Sequence, residues 1–291
     1  MDQRIINLYD RFTHGGMNRR EFLERLAELA GSTTAAVALL PLLQNDYAQA
    51  AIVAADDARL ATERVAYDSP KGKINGYLAR AKVKGKRPAV IIIHENRGLH
   101  SHLEDIARRF AIEGFLALAP DLLSVAGGTP PDDDQARDLH TKTNKDDMLA
   151  AAVAAVSFMQ KHAESTGKVG ATGFCFGGGI VNRMAATSPD LNAAAPYYGE
   201  QIPAAQVPNI KAPLLLHYAE NDQRINAGIA AYEAALKANN KKYTIHMYPG
   251  VQHAFNNDTG AARYNKAAAD LAWSRTLEFF KEHLGAPPRA V

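Results

Sequence analysis

The single cysteine of the chain stands in a glycine-rich turn. Gly173-Phe174-Cys175-Phe176-Gly177 follows an apolar run at 169–172 and precedes a helical stretch. Gly-x-Ser-x-Gly between a strand and a helix is the elbow that lifts a nucleophile above a sheet, and here Cys takes the place of Ser. The helix start beside the sulfur favours thiolate, and its free N–H groups can receive an oxyanion. The motif predicts Cys175 as a nucleophile, with a buried structural cysteine as the alternative. A dinucleotide loop is disfavoured, because the Gly-x-Gly-x-x-Gly spacing is missing.

An acid and a base follow the cysteine in the order that such a site requires. Asp222 comes just after the apolar run 214–219, and His253 follows the run 243–248. In an α/β-hydrolase the order is nucleophile, acid, histidine, each after a strand. We expect Asp222 to orient the imidazole, and His253 to hold Cys175 as thiolate and then to activate water. The alternatives are Asp222 as a helix cap, His253 as an ordinary loop histidine, and Glu220 as the acid.

Short apolar runs alternate with helical stretches from residue 60 onward, and these elements must position the three side chains. A hairpin is predicted from 64–68 and 74–80, around Lys71-Gly72-Lys73. Further strands are predicted at 89–94, 115–119, 169–174, 193–198, 214–219 and 243–248, and helices at 102–113, 147–163, 176–187, 226–239 and 262–283. This alternation predicts an α/β fold with a mostly parallel central sheet of about eight strands and helices on both faces. We assign 59–291 to one catalytic domain and 1–58 to an N-terminal segment.

The stretch 124–146 is rich in Gly, Pro and Asp and lacks a clear period. Irregular segments of this length in compact domains are usually functional or mobile. We therefore predict a long loop here and regard it as a candidate lid over the site.

The first fifty residues have the layout of an export signal. Asn18-Arg19-Arg20-Glu21-Phe22-Leu23 resembles a twin-arginine motif, an uncharged run follows at 30–43, and Ala48-Gln49-Ala50 offers a cleavage site. This layout predicts bacterial-type export to the periplasm. Glu24 and Glu28 depart from the pattern, and the alternative is a retained surface helix at 18–29 in a cytoplasmic protein. The uncharged run of 14 residues is too short to span a bilayer.

Composition and charge limit the partners. The chain has 291 residues, 47% hydrophobic, with a net charge of +2 and one cysteine. These values describe a globular protein without a disulfide and give no electrostatic reason to expect nucleic acid or an acidic membrane surface as partner. No metal site or cofactor is predicted, because no His-x-x-x-His or acidic cluster has ligand spacing. The partner we expect is a small-molecule substrate, and a homodimer is left open.

With these residues placed, the chain resembles the dienelactone hydrolase (carboxymethylenebutenolidase) family from about residue 62 to 284. The likeness rests on a few short motifs, which are Ile93-His94-Glu95, Ala119-Pro120-Asp121-Leu122, Gly173-Phe174-Cys175-Phe176-Gly177-Gly178, Tyr197-Tyr198-Gly199, Asn221-Asp222 and His253-Ala254-Phe255. The resemblance implies an α/β-hydrolase fold and hydrolysis of an ester or lactone. His94, His217 and His246 are expected to lie in or beside strands without catalytic roles.

The resemblance also implies further site residues. Glu95 matches the family's active-site glutamate, which meets the resting thiol and helps to deprotonate it. By the same comparison the backbone N–H groups of Asn96 and Phe176 form the oxyanion hole, and Tyr198 belongs to the substrate-binding set. Founding members carry two arginines that grip a substrate carboxylate, one a few residues after the Asp-Leu motif and one at the position of Asn257. Here residues 123–125 contain no arginine, so we expect a substrate other than dienelactone, with Asn257 in the binding set and Arg97 either supplying a charge there or facing solvent.

These observations together predict a hydrolase of small esters or lactones that acts through a thioacyl intermediate. A general carboxylesterase for neutral short-chain esters is the nearest alternative. A non-catalytic ligand-binding homologue and a redox sensor using Cys175 are the alternatives from other classes.

Overall fold

A computed structural model describes residues 1–47 and 51–288 of the chain. Its strands are β1 Leu60–Ser69, β2 Gly72–Ala81, β3 Arg87–Ile93, β4 Leu116–Pro120, β5 Ser165–Phe174, β6 Ala193–Tyr197, β7 Leu214–Asn221 and β8 Tyr243–Gln252. Its α-helices are α1 Gln3–Thr13, α2 Arg19–Ala30, α3 Thr33–Leu43, α4 Ser101–Ile112, α5 Asp133–Lys142, α6 Lys145–Lys161, α7 Phe176–Thr187, α8 Gln223–Asn226, α9 Ile229–Ala238 and α10 Lys266–Leu284.

The strands form one eight-stranded sheet in the order β1-β2-β4-β3-β5-β6-β7-β8. The β1–β2 hairpin is antiparallel, and β2 runs antiparallel to β4. From β4 through β3 to β8 every neighbouring pair is parallel. The predicted α/β architecture is therefore confirmed, including the hairpin, in which Gly72 takes the positive φ of 105° that favours glycine at the turn.

Apolar side chains cover both faces of the sheet. All residues of β3 are buried, as expected for a strand in the middle of a parallel sheet. One face packs on α4 and α10 through residues such as Phe110 and Phe280. The opposite face packs on α6, α7 and α9 through residues such as Met159 and Met184. Two covered faces place the ends of the parallel strands, where the site residues were predicted, at one edge of the layer.

The prediction of a long loop over 124–146 was wrong, because helix α5 occupies much of this stretch. Asp132 caps the helix by accepting a hydrogen bond from the N–H of Gln135 at 2.8 Å. Ala136 and His140 are buried and lie four residues apart, on one side of the helix. Packing on the body thus stabilises a helix whose sequence is rich in polar residues. The predicted helix at 226–239 corresponds to α9, and the short helix α8 just before it was not predicted.

Residues 1–47 form a helical unit that we call the N-terminal arm. Its helices α1, α2 and α3 begin at the side-chain caps Asp2, Asn18 and Ser32. They bury an apolar cluster of their own, in which Phe12 stacks on Phe22 with ring centroids 4.4 Å apart. The run 30–43 that was predicted as part of an export signal lies mostly in α3, while the proposed cleavage site Ala48-Gln49-Ala50 lies outside the described residues.

None of the described helices is, taken singly, long and apolar enough to cross a membrane. Helices α2 and α3 reach the required length and composition only when taken together, and they are bent by 110° at their junction.

The arm is attached to the rest of the protein, which carries the sheet, by polar contacts at several points. The side chain of Asn96 donates to the carbonyl oxygen of Thr13 at 2.7 Å, and the N–H of Asp46 donates to the carbonyl oxygen of Thr259 at 2.8 Å. The guanidinium of Arg137 lies 4.6 Å above the ring of Phe12. These contacts hold the C-terminal end of α1 against the edge of the sheet where β3 and β5 end.

Candidate active site

The sulfur sits on a strained turn between β5 and α7. Cys175 has φ 55° and ψ −116°, a conformation that non-glycine residues rarely adopt. A Cβ on Gly173 would come within 2.5 Å of the carbonyl oxygen of Gly177, and a Cβ on Gly177 within 2.3 Å of the carbonyl oxygen of Ile93. Both glycines are therefore required by close backbone approach. The turn directs Cys175 to the edge of the sheet, where its side chain is 8% exposed.

His253 and Asp222 form one acid–imidazole pair beside the sulfur. His253 Nδ1 lies 2.5 Å from Asp222 Oδ2, and both side chains are buried. The other oxygen of Asp222 accepts a hydrogen bond from the N–H of Ile225 and caps α8. Asp222 thus acts both as the helix cap and as the histidine's partner, two roles that the sequence presented as alternatives. Glu220 instead accepts from the N–H of Gly250 at 2.7 Å.

A second imidazole meets the same sulfur and was not predicted from the sequence. His14, the residue after α1, places Nε2 3.1 Å from Cys175 Sγ. Its ring also makes an edge contact with the ring of His253, with centroids 5.2 Å apart. The ring nitrogens Nε2 of His14 and His253 and the sulfur all lie within 4.8 Å of one another.

Asp10 orients His14 as Asp222 orients His253. His14 Nδ1 lies 2.7 Å from the carbonyl oxygen of Asp10 and 3.2 Å from its Oδ1. Both are acceptors, so Nδ1 carries a hydrogen and Nε2 is the atom whose protonation changes. Arg224 Nη2 also lies 3.1 Å from Nε2. A neutral His14 can accept from Arg224, whereas a protonated His14 can donate to a thiolate.

The charges around the sulfur favour an ion pair. Burial raises the pKa of the Cys175 thiol, but His14 and His253 outweigh burial and lower this pKa to about 6. Burial lowers the pKa of His14, but Cys175 and Asp10 raise it to about 9. Burial also works against the charged form of His253, and the charges of Asp222 and Cys175 raise its pKa well above the usual range. At neutral pH the site therefore holds a thiolate next to imidazolium.

Glu95 lies at the carboxyl end of β3, buried, and is held by Asn257. Asn257 Nδ2 donates to Glu95 Oε2 at 2.9 Å. Glu95, Arg97, Cys175 and both histidines border one small void of about 20 Å³. Arg97 is only 8% exposed, so the alternative that it faces solvent does not hold. Asn257 and Arg97 do not line the large cavity described below.

Tyr198 lies behind the imidazole of His253, with ring centroids 4.9 Å apart. It is fully buried, and its φ of 36° places it in another strained position. His94 and His217 are bound by hydrogen bonds inside the fold. The first accepts from the N–H of Leu122, and the second contacts Tyr248 and Thr276. All three residues are buried, and none of them lines the large cavity beside the sulfur.

A cavity of about 540 Å³ opens beside the sulfur. Cys175, Phe176, Asn96 and His14 form one wall of this main cavity, and His253 is not among its lining residues. Its charged lining residues were not singled out from the sequence, and they are Lys145, Arg183, Glu200 and Arg224. The side chain of Arg183 lies 2.5 Å from Asp146. Because Arg183 is paired with Asp146 and Arg224 lies 3.5 Å from Asp10, Lys145 is, among the described residues, the lining cation left to attract an anionic group.

The three donor atoms around the sulfur are of the types that bind transition metals. The guanidinium of Arg224 beside His14 Nε2 places a positive charge against any cation there. The arrangement is therefore better suited to stabilising an anion on sulfur.

Comparisons with known proteins agree with this architecture. A model described as the dienelactone hydrolase family matches residues 74–284, and a separate model described as YqhI-like matches residues 1–31. "Protein usf" from Aquifex pyrophilus is 37% identical over 233 residues, which cover 76% of this chain and 99% of that protein. A protein from Escherichia coli K12 named "Putative carboxymethylenebutenolidase" is 34% identical and covers 72% of this chain and 82% of its own length. The crystal structure of a "Putative Dienelactone Hydrolase" from Klebsiella pneumoniae is 30% identical, has a TM-score of 0.70, and covers 77% of this chain and 99% of that one.

Proposed function

The chain belongs to the dienelactone hydrolase family and is a hydrolase acting on carboxylic ester bonds; from this we propose that Cys175, His253 and Asp222 hydrolyse a small ester or lactone through a thioacyl intermediate. The observation that carries the proposal is the strained sulfur beside a buried imidazole that is bound to Asp222 at 2.5 Å.

In this mechanism His253 accepts the proton of the Cys175 thiol, and the imidazolium that results is stabilised by Asp222. The thiolate attacks the substrate carbonyl carbon from the main cavity. The N–H groups of Asn96 and Phe176 are assigned to the oxyanion, because both residues line the cavity next to the sulfur and the N–H of Phe176 opens helix α7. The alcohol or enol oxygen leaves, and water hydrolyses the thioester. Glu95, which borders the same small void as Cys175, is assigned to assist this loss of the thiol proton.

The experiment compares wild type with Cys175→Ala and His253→Gln on p-nitrophenyl butyrate, with mass spectrometry of the quenched enzyme. We expect a butyryl group on Cys175 in the wild type, and turnover near background in both variants. His246→Gln is a matched control, since His246 lies in the middle of β8 away from the sulfur. Normal turnover by Cys175→Ala would disprove the proposal.

The cations of the main cavity lead us to propose a substrate with an anionic group. This chain lacks the two arginines that bind a substrate carboxylate in the founding members of the family. Lys145 and Arg183 lie on α6 and α7, on the cavity side of the sheet edge. We expect p-nitrophenyl hemisuccinate to have a lower KM than neutral p-nitrophenyl butyrate.

Lys145→Ala tests this preference directly. Because the side chain is solvent-accessible, we expect KM for the hemisuccinate to rise about fivefold, equal to about 1 kcal/mol, with little change for the butyrate. Lys142→Ala, at the end of α5 and outside the cavity lining, serves as control. Equal KM values for the two esters in the wild type would favour the general carboxylesterase instead.

A further inference from the structure

The mechanism above leaves one group at the sulfur without a role. His14 touches Sγ at 3.1 Å, is oriented by its own aspartate, and belongs to an arm that a separate family model describes. We propose that His14 is a second catalytic acid–base residue, supplied by the N-terminal arm, which protonates the leaving group and then activates the water. This inference rests on the proposed thioacyl mechanism and goes beyond its triad.

The position of the main cavity is the first argument. A leaving alcohol must depart into the space where the substrate sits, and the attacking water must arrive from there. His14 lines that cavity together with Cys175, whereas His253 lines other, smaller spaces behind it. Of these two imidazoles, His14 is therefore the one with direct access to both oxygen atoms.

The hydrogen bonds of His14 are the second argument. Nδ1 is held by Asp10, and Asp10 is in turn near Arg224, whose Nε lies 3.5 Å from Asp10 Oδ2. Nε2 faces the sulfur on one side and Arg224 Nη2 on the other. The protonated ring is stabilised by the thiolate and the neutral ring by Arg224, so both states that a proton carrier needs have a partner.

The two imidazoles carry different protons: His253 holds the thiol proton, and His14 exchanges protons with the leaving group and the water. His253 takes the thiol proton once and keeps the thiolate charged between turnovers. When the carbon–oxygen bond of the substrate breaks, the departing alkoxide takes the proton of His14 Nε2 and leaves as alcohol. Water then adds to the thioester and gives its proton to the neutral His14, the carbon–sulfur bond breaks, and the carboxylic acid departs. The thiolate and the protonated His14 are restored.

The arm is held in place for this role. Asn96, whose N–H is assigned to the oxyanion, donates its side-chain amide to the carbonyl oxygen of Thr13, the neighbour of His14. One residue thus links the proposed oxyanion hole to the arm, so that correct placement of the one depends on the other.

Two esters with the same acyl group separate leaving-group protonation from every other step. Ethyl butyrate and p-nitrophenyl butyrate form the same thioester on Cys175, but only the ethoxide needs a proton in order to leave. In single-turnover experiments with the full chain, we expect His14→Gln to slow acylation by ethyl butyrate about 10²- to 10³-fold. Acylation by p-nitrophenyl butyrate, corrected for the fraction of Cys175 present as thiolate, should change by less than about threefold, while its steady-state turnover falls because release of the acyl group also uses His14.

Two further proteins complete the experiment. Arg20→Gln on α2 alters the arm at an exposed side chain and should leave both acylation rates unchanged. His14→Ala leaves a gap beside the main cavity, and added imidazole should restore part of the ethyl butyrate rate, which a purely structural role would not allow.

The outcomes are distinct. If wild type forms no butyryl-Cys175, the proposed function itself fails, whatever His14 does. Suppose that wild type acylates. The role assigned to His14 is then overturned if His14→Gln acylates at the wild-type rate with both esters, or if both acylation rates fall by the same factor. It is also overturned if acylation by His14→Gln is faster, which would mean that the arm blocks the site.

Discussion

At the scale of single residues, the site consists of two aspartate–imidazole pairs that converge on one sulfur. The pair formed by Asp222 and His253 could be predicted, because each residue follows a strand in the expected chain order. The pair formed by Asp10 and His14 could not be assigned to the site, since Cys175, which His14 contacts, lies 161 residues away and no local pattern connects the two. The only sequence feature of this pair is a histidine just after an amphipathic helix, and that feature is too common to identify a site.

The pH dependence of Cys175 reactivity follows from the neighbouring cations. The pKa of the thiol is lowered to about 6, so thiolate is present above that pH and is lost as the pH falls through it. We expect the rate of inactivation by iodoacetamide to reach half its maximum near pH 6. His14→Gln removes one of the two cations and should move this midpoint upward. A midpoint near the ordinary value for a thiol in the wild type would contradict the ion pair.

The proton on His14 sets the alkaline limit for acylation by alkyl esters. The pKa of His14 is raised to about 9, so the proton that the leaving group needs is present below that pH and lost above it. We expect single-turnover acylation by ethyl butyrate to decline as the pH passes about 9, while acylation by p-nitrophenyl butyrate continues. Parallel decline of the two rates would assign the alkaline limit to another group.

The two oxygens of Asp222 allow its roles to be separated. Asp222→Asn can still cap α8 but cannot stabilise imidazolium, so we expect the rate of acylation to fall about 10⁴-fold and stability to fall through loss of the buried ion pair with His253. Asp222→Ala also loses the cap, and the free energy of unfolding should fall by about 1 kcal/mol more. Urea unfolding and single-turnover rates measure the two effects. Equal stability of the two variants would remove the capping role.

At the scale of elements, the sequence predicted most of what positions the triad. Every strand of the sheet was found because short apolar runs and the turn residues that bound them are local signals. Helix α5 was missed because most of its residues are polar and only one side of the helix is buried. Its formation depends on packing against the protein rather than on helix propensity. A retained helix at 18–29 was only the alternative to an export signal, since an apolar run beside an arginine pair is common to export signals and packed helices; the structure has helix α2 there, at Arg19–Ala30.

The close approach of α7 to β3 at Gly177 can be tested by substitution. A Cβ on Gly177 would meet the carbonyl oxygen of Ile93 at 2.3 Å, so Gly177→Ala must push α7 away from β3. We expect a loss of about 1–3 kcal/mol of unfolding free energy and a larger loss of acylation, because the sulfur moves with the turn. Gly179→Ala, two residues on, meets no atom closer than 3.5 Å and should be neutral or slightly stabilising in the helix. Comparable losses in both variants would contradict the close approach.

At the scale of the whole molecule, the arm is a small unit with its own apolar cluster, attached to a larger domain. Phe22 is 1% exposed at the centre of that cluster. Phe22→Ala should destabilise the arm by about 3–5 kcal/mol and detach it, so that proteases cleave there, while the urea midpoint of the catalytic domain changes little. Phe22→Leu keeps most of the volume and should remain docked. Acylation by ethyl butyrate should fall in the alanine variant as it does in His14→Gln.

The role proposed for His14 requires the arm to remain on the working enzyme. Export with cleavage near residue 50, as the arginine pair predicts, would remove that side chain. We expect the intact mass of the native protein to include residues 1–47. A mature chain that begins after the arm and still hydrolyses alkyl esters would exclude the proposal and support the export signal.

The attachment of the first helix to the far end of the chain also has a consequence for biosynthesis. The ribosome releases α1 long before its partners exist, since Arg224 lies 210 residues after His14. The catalytic centre therefore closes only after most of the polypeptide has emerged. Incomplete translation products carry His14 alone, or His14 and Cys175 without Arg224 and His253, so the full set of side chains around the sulfur exists only in a nearly finished protein.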